Sequence, residues 1–200
     1  LKEEGINFNE KLLKDYYQLY LNKYDTVLDK KSMSYDGVVA TLEKLQSMGV
    51  KLGICTNKPE KYARKLLKRL GLIGFFRDSF IGSDTVGIAK PDPKPLLEAI
   101  YRLNKNPEDA LFVGDTNTDA DAAKNANVDF IFCEYGHGSL YKLAKGNSAA
   151  FKIKTFADLM SIYKDKPWCL SIILIFMMHR KFGEYYEKIV SFGHSSFTNH

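Results

Sequence analysis

The chain has 200 residues, 45% of them apolar, enough for one packed domain with a small appendage. Its 29 basic and 24 acidic residues leave a mild net charge of +5. The lysines are spread along the chain and form no basic block interleaved with aromatics, which argues against nucleic acid as a partner.

In chain order, Asn9 to Tyr24 reads as a helix, with Leu12, Leu13, Tyr16, Leu19 and Tyr20 at helical spacing. Asp36 can cap a second helix running to Met48, with Val39, Leu42 and Leu45 on one face. Gly49 stands where a helix end favours a left-handed residue. Val50 to Cys55 reads as a strand. Pro59 lies near the first turn of a helix that runs to Leu70 and stops at Gly71. Ser79 to Ile81 is a short strand, and Pro93 opens a helix through Leu103. Ala110 to Val113 is a strand, Asn117 to Ala126 an Ala-rich helix, and Val128 to Cys133 a strand. Phe151 to Ile153 is one more strand, and Thr155 caps a last short helix to Tyr163.

Strands therefore alternate with helices from residue 36 to residue 163. The strand runs are short and unbroken in apolar character, as in strands covered on both faces. The pattern predicts an α/β fold with a parallel sheet flanked by helices, whose ligands gather at the carboxyl ends of the strands. The apolar run from Trp168 to Met178 is far shorter than the ~20 residues a membrane span needs. Cys55, Cys133 and Cys169 are odd in number and lack C-x-x-C spacing, which fits a reducing cytoplasm rather than a disulfide framework. His137, His179, His194 and His200 are scattered without zinc-ligand spacing.

Three segments carry residue types suited to phosphate chemistry. In Leu111-Phe112-Val113-Gly114-Asp115-Thr116-Asn117-Thr118-Asp119, a buried strand ends in Gly-Asp, with a second Asp in the first turn of the next helix. Two carboxylates at a sheet edge suit Mg²⁺. The bland alternative is that Asp115 starts a turn and Asp119 favours the helix N-terminus. In Gly53-Ile54-Cys55-Thr56-Asn57-Lys58-Pro59, a strand ends in a hydroxyl and an amide residue before a helix. Those groups can hold a phosphoryl oxygen or simply cap the helix. In Ala89-Lys90-Pro91-Asp92-Pro93, two prolines stiffen a loop that can aim one ammonium at a fixed anion, or merely expose it.

Taken together, Thr-Asn, Lys-Pro-x-Pro and Gly-Asp-x-x-x-Asp in this order resemble motifs two, three and four of the haloacid dehalogenase superfamily. Tyr35-Asp36-Gly37-Val38, Gly71-Leu72 before Phe75-Phe76, Ile81-Gly82-Ser83-Asp84 and Asp121-Ala122-Ala123 look like phosphoglycolate phosphatases. The resemblance covers roughly residues 10 to 163. It implies a Rossmannoid three-layer α/β/α fold with a parallel sheet and the remnant of a helical cap. It also implies a phosphatase working through an aspartyl-phosphate on a small phosphorylated metabolite such as phosphoglycolate. Thr56 would then hydrogen-bond the transferring phosphoryl group with Asn57 assisting. Lys90 would neutralise the phosphate, Asp115 would bind Mg²⁺ directly, and Asp119 would bind it directly or through water.

The family's first motif is Asp-x-Asp-x-Thr after an N-terminal strand, and no such sequence occurs in these 200 residues. Asp119-Ala120-Asp121 has the carboxylate spacing but follows no strand. The expectation is therefore a partial cap over residues 1–34 and a core over 35–163 that lacks its first, central strand. The remainder, 164–200, is a tail of uncertain status, and the chain alone is expected to be inactive. Three readings of that tail stay open. It is a non-native extension, or a helix packing on the body, or its strand-like Ile172 to Met177 occupies the central slot, with no Asp after it. A non-catalytic phosphate-binding module and a sugar-phosphate mutase remain as alternatives. Dehalogenases, which work without Mg²⁺, are disfavoured by the Asp115 and Asp119 pair. Nothing in the sequence speaks to oligomeric state.

Overall fold

The structure, a computed structural model, describes residues 33–135, 143–165 and 171–174, together with Asp15 and Leu19. The chain divides into two compact units, Leu1–Ser32 and Met33–His200. In the first, Asp15 and Leu19 are helical; the rest of the expected Asn9 to Tyr24 helix lies outside the described residues. Everything below concerns the second unit.

Helix α1 spans Val38–Ser47 and strand β1 Lys51–Cys55. Helix α2 is Glu60–Arg69, and β2 is Phe80–Ile81. Helix α3 is Lys94–Arg102, β3 is Ala110–Gly114, and α4 is Asn117–Ala126. Strands β4, Asp129–Cys133, and β5, Phe151–Ile153, precede α5, Leu159–Asp165. Strand β6, Ser171–Leu174, comes last. Thr155 caps the 3₁₀ turn that leads into α5, as expected, through a capping box with Asp158.

Two details of α1 differ from expectation. Its cap position is held by Gly37 at φ 76°, a left-handed conformation that a side chain would strain, so Asp36 stands one residue outside and caps nothing. Its inward stripe is Val38, Thr41, Leu42 and Leu45, whereas Val39 is 42% exposed. Those four positions follow the helical repeat, and Val39 falls about 100° off it. Gly49 does take the left-handed conformation expected of it, at φ 82°.

All strand pairs are parallel, in the order β2-β1-β6-β3-β4-β5. Side chains alternate between two apolar layers, because successive strand residues face opposite sides. Leu52, Ile54, Leu111, Val113, Ile131 and Cys133 pack with residues of α1, α2 and α5. Cys55, Ala110, Phe112, Phe130 and Phe132 pack with residues of α3 and α4. The result is the expected three-layer α/β/α arrangement.

The central position belongs to β6. It pairs with β1 on one side and β3 on the other, and β1 and β3 are not hydrogen-bonded to each other. Of the three readings of the tail, the central-slot reading describes residues 171–174. A run of Ile172, Ile173 and Leu174 suits a strand covered on both faces. The sheet therefore has no gap at its centre. Among the described residues, no helix is long and apolar enough to cross a membrane.

Candidate active site

Strand β1 leads outward to β2 on one side, while β3 leads to β4 and β5 on the other. The chain thus changes direction across β6, and such a switch point leaves a crevice at the carboxyl ends of the strands. Ile54 and Val113 are both level with Leu174. Thr56 and Asp115, each two residues further on, therefore stand at the same height on either side of β6. With adjacent strands ~4.8 Å apart, the two backbones are separated by about 10 Å.

At the end of β1, Thr56 is 8% exposed and its N–H donates to the Ile81 carbonyl at 2.9 Å. The Thr56 hydroxyl accepts from Lys58 N–H at 3.2 Å, which leaves its own proton to offer a ligand. Neither Thr56 nor Asn57 caps α2. The residue at the cap position is Pro59, and Glu60 N–H donates instead to Asp84 Oδ1 at 2.8 Å. Asn57 reaches across to the Lys90 backbone. Its Nδ2 donates to the Lys90 carbonyl and its Oδ1 accepts from Lys90 N–H, both at 2.9 Å.

Lys90 is 6% exposed, so it is no surface lysine on a connector. Its Nζ donates to the Cys55 carbonyl at 3.0 Å and to Asp119 Oδ1 at 2.7 Å. The ammonium also lies 5.1 Å from the centre of the Phe112 ring, within reach of its negative face. A buried ammonium is tolerated only where it is paired and hydrogen-bonded, and Lys90 meets both conditions.

Asp119 serves two structures with its two oxygens. Oδ1 faces Lys90, while Oδ2 accepts from Thr116 N–H at 3.0 Å and from the Thr116 hydroxyl. Thr116 Oγ1 in turn accepts from Asp119 N–H at 3.3 Å, completing a capping box at the start of α4. The helix-start reading of Asp119 is thus realised, and Lys90 occupies the other oxygen. Gly114 makes this closeness possible. A Cβ there would lie 2.6 Å from Asp119 Cβ and 2.8 Å from the Phe130 ring.

Asp115 is half-buried at the end of β3, and its N–H points to Asp119 Oδ2 at 3.4 Å. Beyond it, Tyr35 and Tyr135 meet edge to face with ring centres 4.8 Å apart. Burial raises the Tyr135 phenol well above its ordinary range, as do Cys133, Tyr35 and Asp115 nearby. Burial likewise pushes the Cys133 thiol up, and the Cys55 thiol to about 11 against a pull downward from Lys90. Burial lowers the Lys58 ammonium to about 8.

Among the described residues, no three His, Cys, Asp or Glu side chains converge on one point. Of the two carboxylates there, Asp119 is engaged at both oxygens by Lys90 and Thr116, so Asp115 would be the direct donor and Asp119 would act through a water. That set does not build a closed zinc site, but it fits Mg²⁺, which takes one or two carboxylates and keeps several waters.

Hydrogen bonds thus join Asn57, Lys90, Asp119 and Asp115 along one sheet edge, and Lys58 to Thr56 beside them. Sequence reasoning missed Thr116 as the partner of Asp119, although Thr116-x-x-Asp119 has capping-box spacing. It also missed Phe112 under Lys90 and Asp84 at the start of α2. Of residues 135–138, which follow β4, only Tyr135 is among the described residues.

The sequence profile of a haloacid dehalogenase-like hydrolase family matches residues 3–127. A phosphoglycolate phosphatase from Rhodospirillum rubrum is 41% identical over 117 residues, 58% of this chain and 48% of that protein. One from Aquifex aeolicus is 37% identical over 136 residues, 66% of this chain and 63% of its own length. The chain therefore spans less than two thirds of either relative. Among solved structures, a HAD phosphatase from Thermococcus onnurineus is 35% identical, with a TM-score of 0.57 over 64% of this chain and 57% of that one. A Haemophilus somnus protein described as a predicted phosphoglycolate phosphatase is 27% identical, with a TM-score of 0.71 over 80% of this chain and 71% of its own. The buried Lys90–Asp119 pair, the Thr56 hydroxyl and the Asp115 carboxylate lie within the profile's span, and the chain belongs to the haloacid dehalogenase-like hydrolase family.

Proposed function

We propose that Thr56, Asn57, Lys90, Asp115 and Asp119 form the phosphoryl site of a Mg²⁺-dependent phosphatase of the phosphoglycolate phosphatase type. Its substrate would be a small phosphorylated metabolite in a reducing cytoplasm, where the buried thiols Cys55 and Cys133 stay reduced. The observation that carries this reading is the buried Lys90 ammonium, tied to the Cys55 carbonyl beside Thr56 and to Asp119 beside Asp115. It links the hydroxyl side of the edge to the carboxylate side.

In this reading the Thr56 hydroxyl donates to a phosphoryl oxygen, and Lys90 offsets the negative charge of the group. Asp115 would hold Mg²⁺ directly and Asp119 through water, and the bound metal would supply positive charge that offsets the phosphoryl group. Phosphoryl transfer depends mainly on such positioning and charge neutralisation. An aspartyl-phosphate route further needs a carboxylate oxygen to attack phosphorus while the ester oxygen leaves, and a water to reverse that bond. None of residues 171–183, from the start of β6 onward, is Asp or Glu. These 200 residues by themselves are therefore expected to hold phosphate without hydrolysing its esters.

The absence of an acid after the central strand also favours a second reading, a module that binds phosphate and performs no chemistry. An assay with phosphoglycolate and an aryl phosphate in Mg²⁺ separates the two. One sample is this chain, the other the same chain preceded by an apolar strand ending in Asp-x-Asp-x-Thr. Hydrolysis only by the second, abolished by Asp115→Ala, supports the phosphatase. No hydrolysis by either, with phosphate still bound, supports the binding module.

A further inference from the structure

Lys90 is gripped at both ends by residues that flank Thr56. Its ammonium is held by the carbonyl of Cys55, the residue before Thr56, at 3.0 Å. Its backbone is held by the side chain of Asn57, the residue after, through two bonds of 2.9 Å. The Asn57 amide imitates a neighbouring strand here. Its carbonyl accepts from the N–H, and one amino hydrogen donates to the carbonyl, of a single residue 33 positions away in sequence. A lysine side chain has four rotatable bonds and loses much freedom when its ammonium is fixed. Anchoring its backbone shortens that search and sets the distance from Thr56 Oγ1 to Lys90 Nζ.

We propose that Asn57 is a positioning residue, which acts on a bound phosphoryl group through Lys90 and does not touch it. This rests on the phosphate-site reading above. Lys90 presents charge, Thr56 presents a hydroxyl, and Asn57 keeps the two in register by welding the loop after β1 to the loop before α3. Asp119 completes the grip from the far side.

The test combines two readouts on the whole chain. The first is amide hydrogen exchange without ligand. Asn57→Ala is expected to speed exchange at the Lys90 N–H by about tenfold or more, the worth of one lost hydrogen bond. Exchange at Phe112 in β3 should stay unchanged, since a general loss of stability would speed both. The second is a titration with inorganic phosphate in Mg²⁺, using Asn57→Ala, Lys90→Ala and the double variant. Asn57→Ala is expected to weaken phosphate by about tenfold in the native background and by less than about twofold in Lys90→Ala. Equal losses in both backgrounds would mean direct contact and overturn the proposal, as would unchanged exchange at Lys90. If Asn57→Ala does not fold, Asn57→Ser, too short to reach both Lys90 backbone groups, takes its place in the same two comparisons. If the native chain binds no phosphate, the phosphate-site reading falls, and the claim that Asn57 acts on phosphate falls with it. The exchange data then still show whether Asn57 holds Lys90.

Discussion

Lys90 Nζ and Asp119 Oδ1 lie 2.7 Å apart with side chains only 4% and 5% exposed, so an ion pair inside the protein bridges the loop before α3 and the first turn of α4. Removing one partner strands the other charge out of water. Lys90→Ala and Asp119→Ala are each expected to cost about 3–5 kcal/mol of folding stability. Because the two residues share one interaction, the double variant should cost clearly less than the sum. Denaturant midpoints of the four proteins check this, and additive losses would show that the pair is not coupled.

Gly114→Ala is expected to destabilise the fold by about 1–3 kcal/mol, because the new methyl has no room beside Asp119 and Phe130. Gly74→Ala serves as its control. A Cβ there meets only the tip of Arg77, at 4.0 Å, and the melting temperature should barely change.

The sheet depends on β6 to join its halves, since β1 and β3 pair with it and not with each other. Ile173 is level with Gly53 on one side and Phe112 on the other. Ile173→Pro removes a ladder donor where no proline is tolerated, and should cost at least about 2 kcal/mol. A melting curve unchanged by this substitution would remove β6 from the centre of the sheet.

Cys55 and Cys133 are fully buried, and burial raises both thiols, so little thiolate exists at neutral pH. In a Cys169→Ser background, a thiol reagent at pH 8 should label the folded protein no faster than it unfolds. Rapid labelling would contradict the packing on either face of the sheet.

Lys58 titrates near 8 in the folded protein because burial disfavours its charge, against 10.5 for a free lysine. Between those values the unfolded chain retains a proton that the folded chain has released. Its contribution to stability therefore rises as pH increases through that window. Lys58→Met should flatten the rise, as read from unfolding midpoints between pH 7 and 10.5.

What the sequence made legible was local. Asn117–Ala126 emerges with its predicted ends because Thr116 caps one end and Asn127, at φ 55°, closes the other. Leu111-Phe112-Val113 reads as a strand because a run buried on both faces is apolar throughout. The segments that end in Thr56-Asn57 and in Asp115 meet at one edge because parallel strands deliver their carboxyl ends to the same side. What stayed hidden depends on contacts between distant residues. The Ile172-Ile173-Leu174 run is strand-like by composition, but its central place is set by register with β1 and β3. Asp84 supplies the start of α2 from 24 residues away, and no local pattern announces it. Asn57 displays a capping residue's chemistry, and only the fold reveals that its partner is Lys90.

The central claim is that the edge built by Thr56, Lys90, Asp115 and Asp119 receives a phosphoryl group together with Mg²⁺. Calorimetric titration of the chain with inorganic phosphate, with and without Mg²⁺, tests it most directly. The account predicts saturable binding that tightens with Mg²⁺, loses that dependence in Asp115→Ala, and weakens by at least about tenfold in Lys90→Ala. Absence of binding, or binding indifferent to Mg²⁺ and to both substitutions, would contradict it.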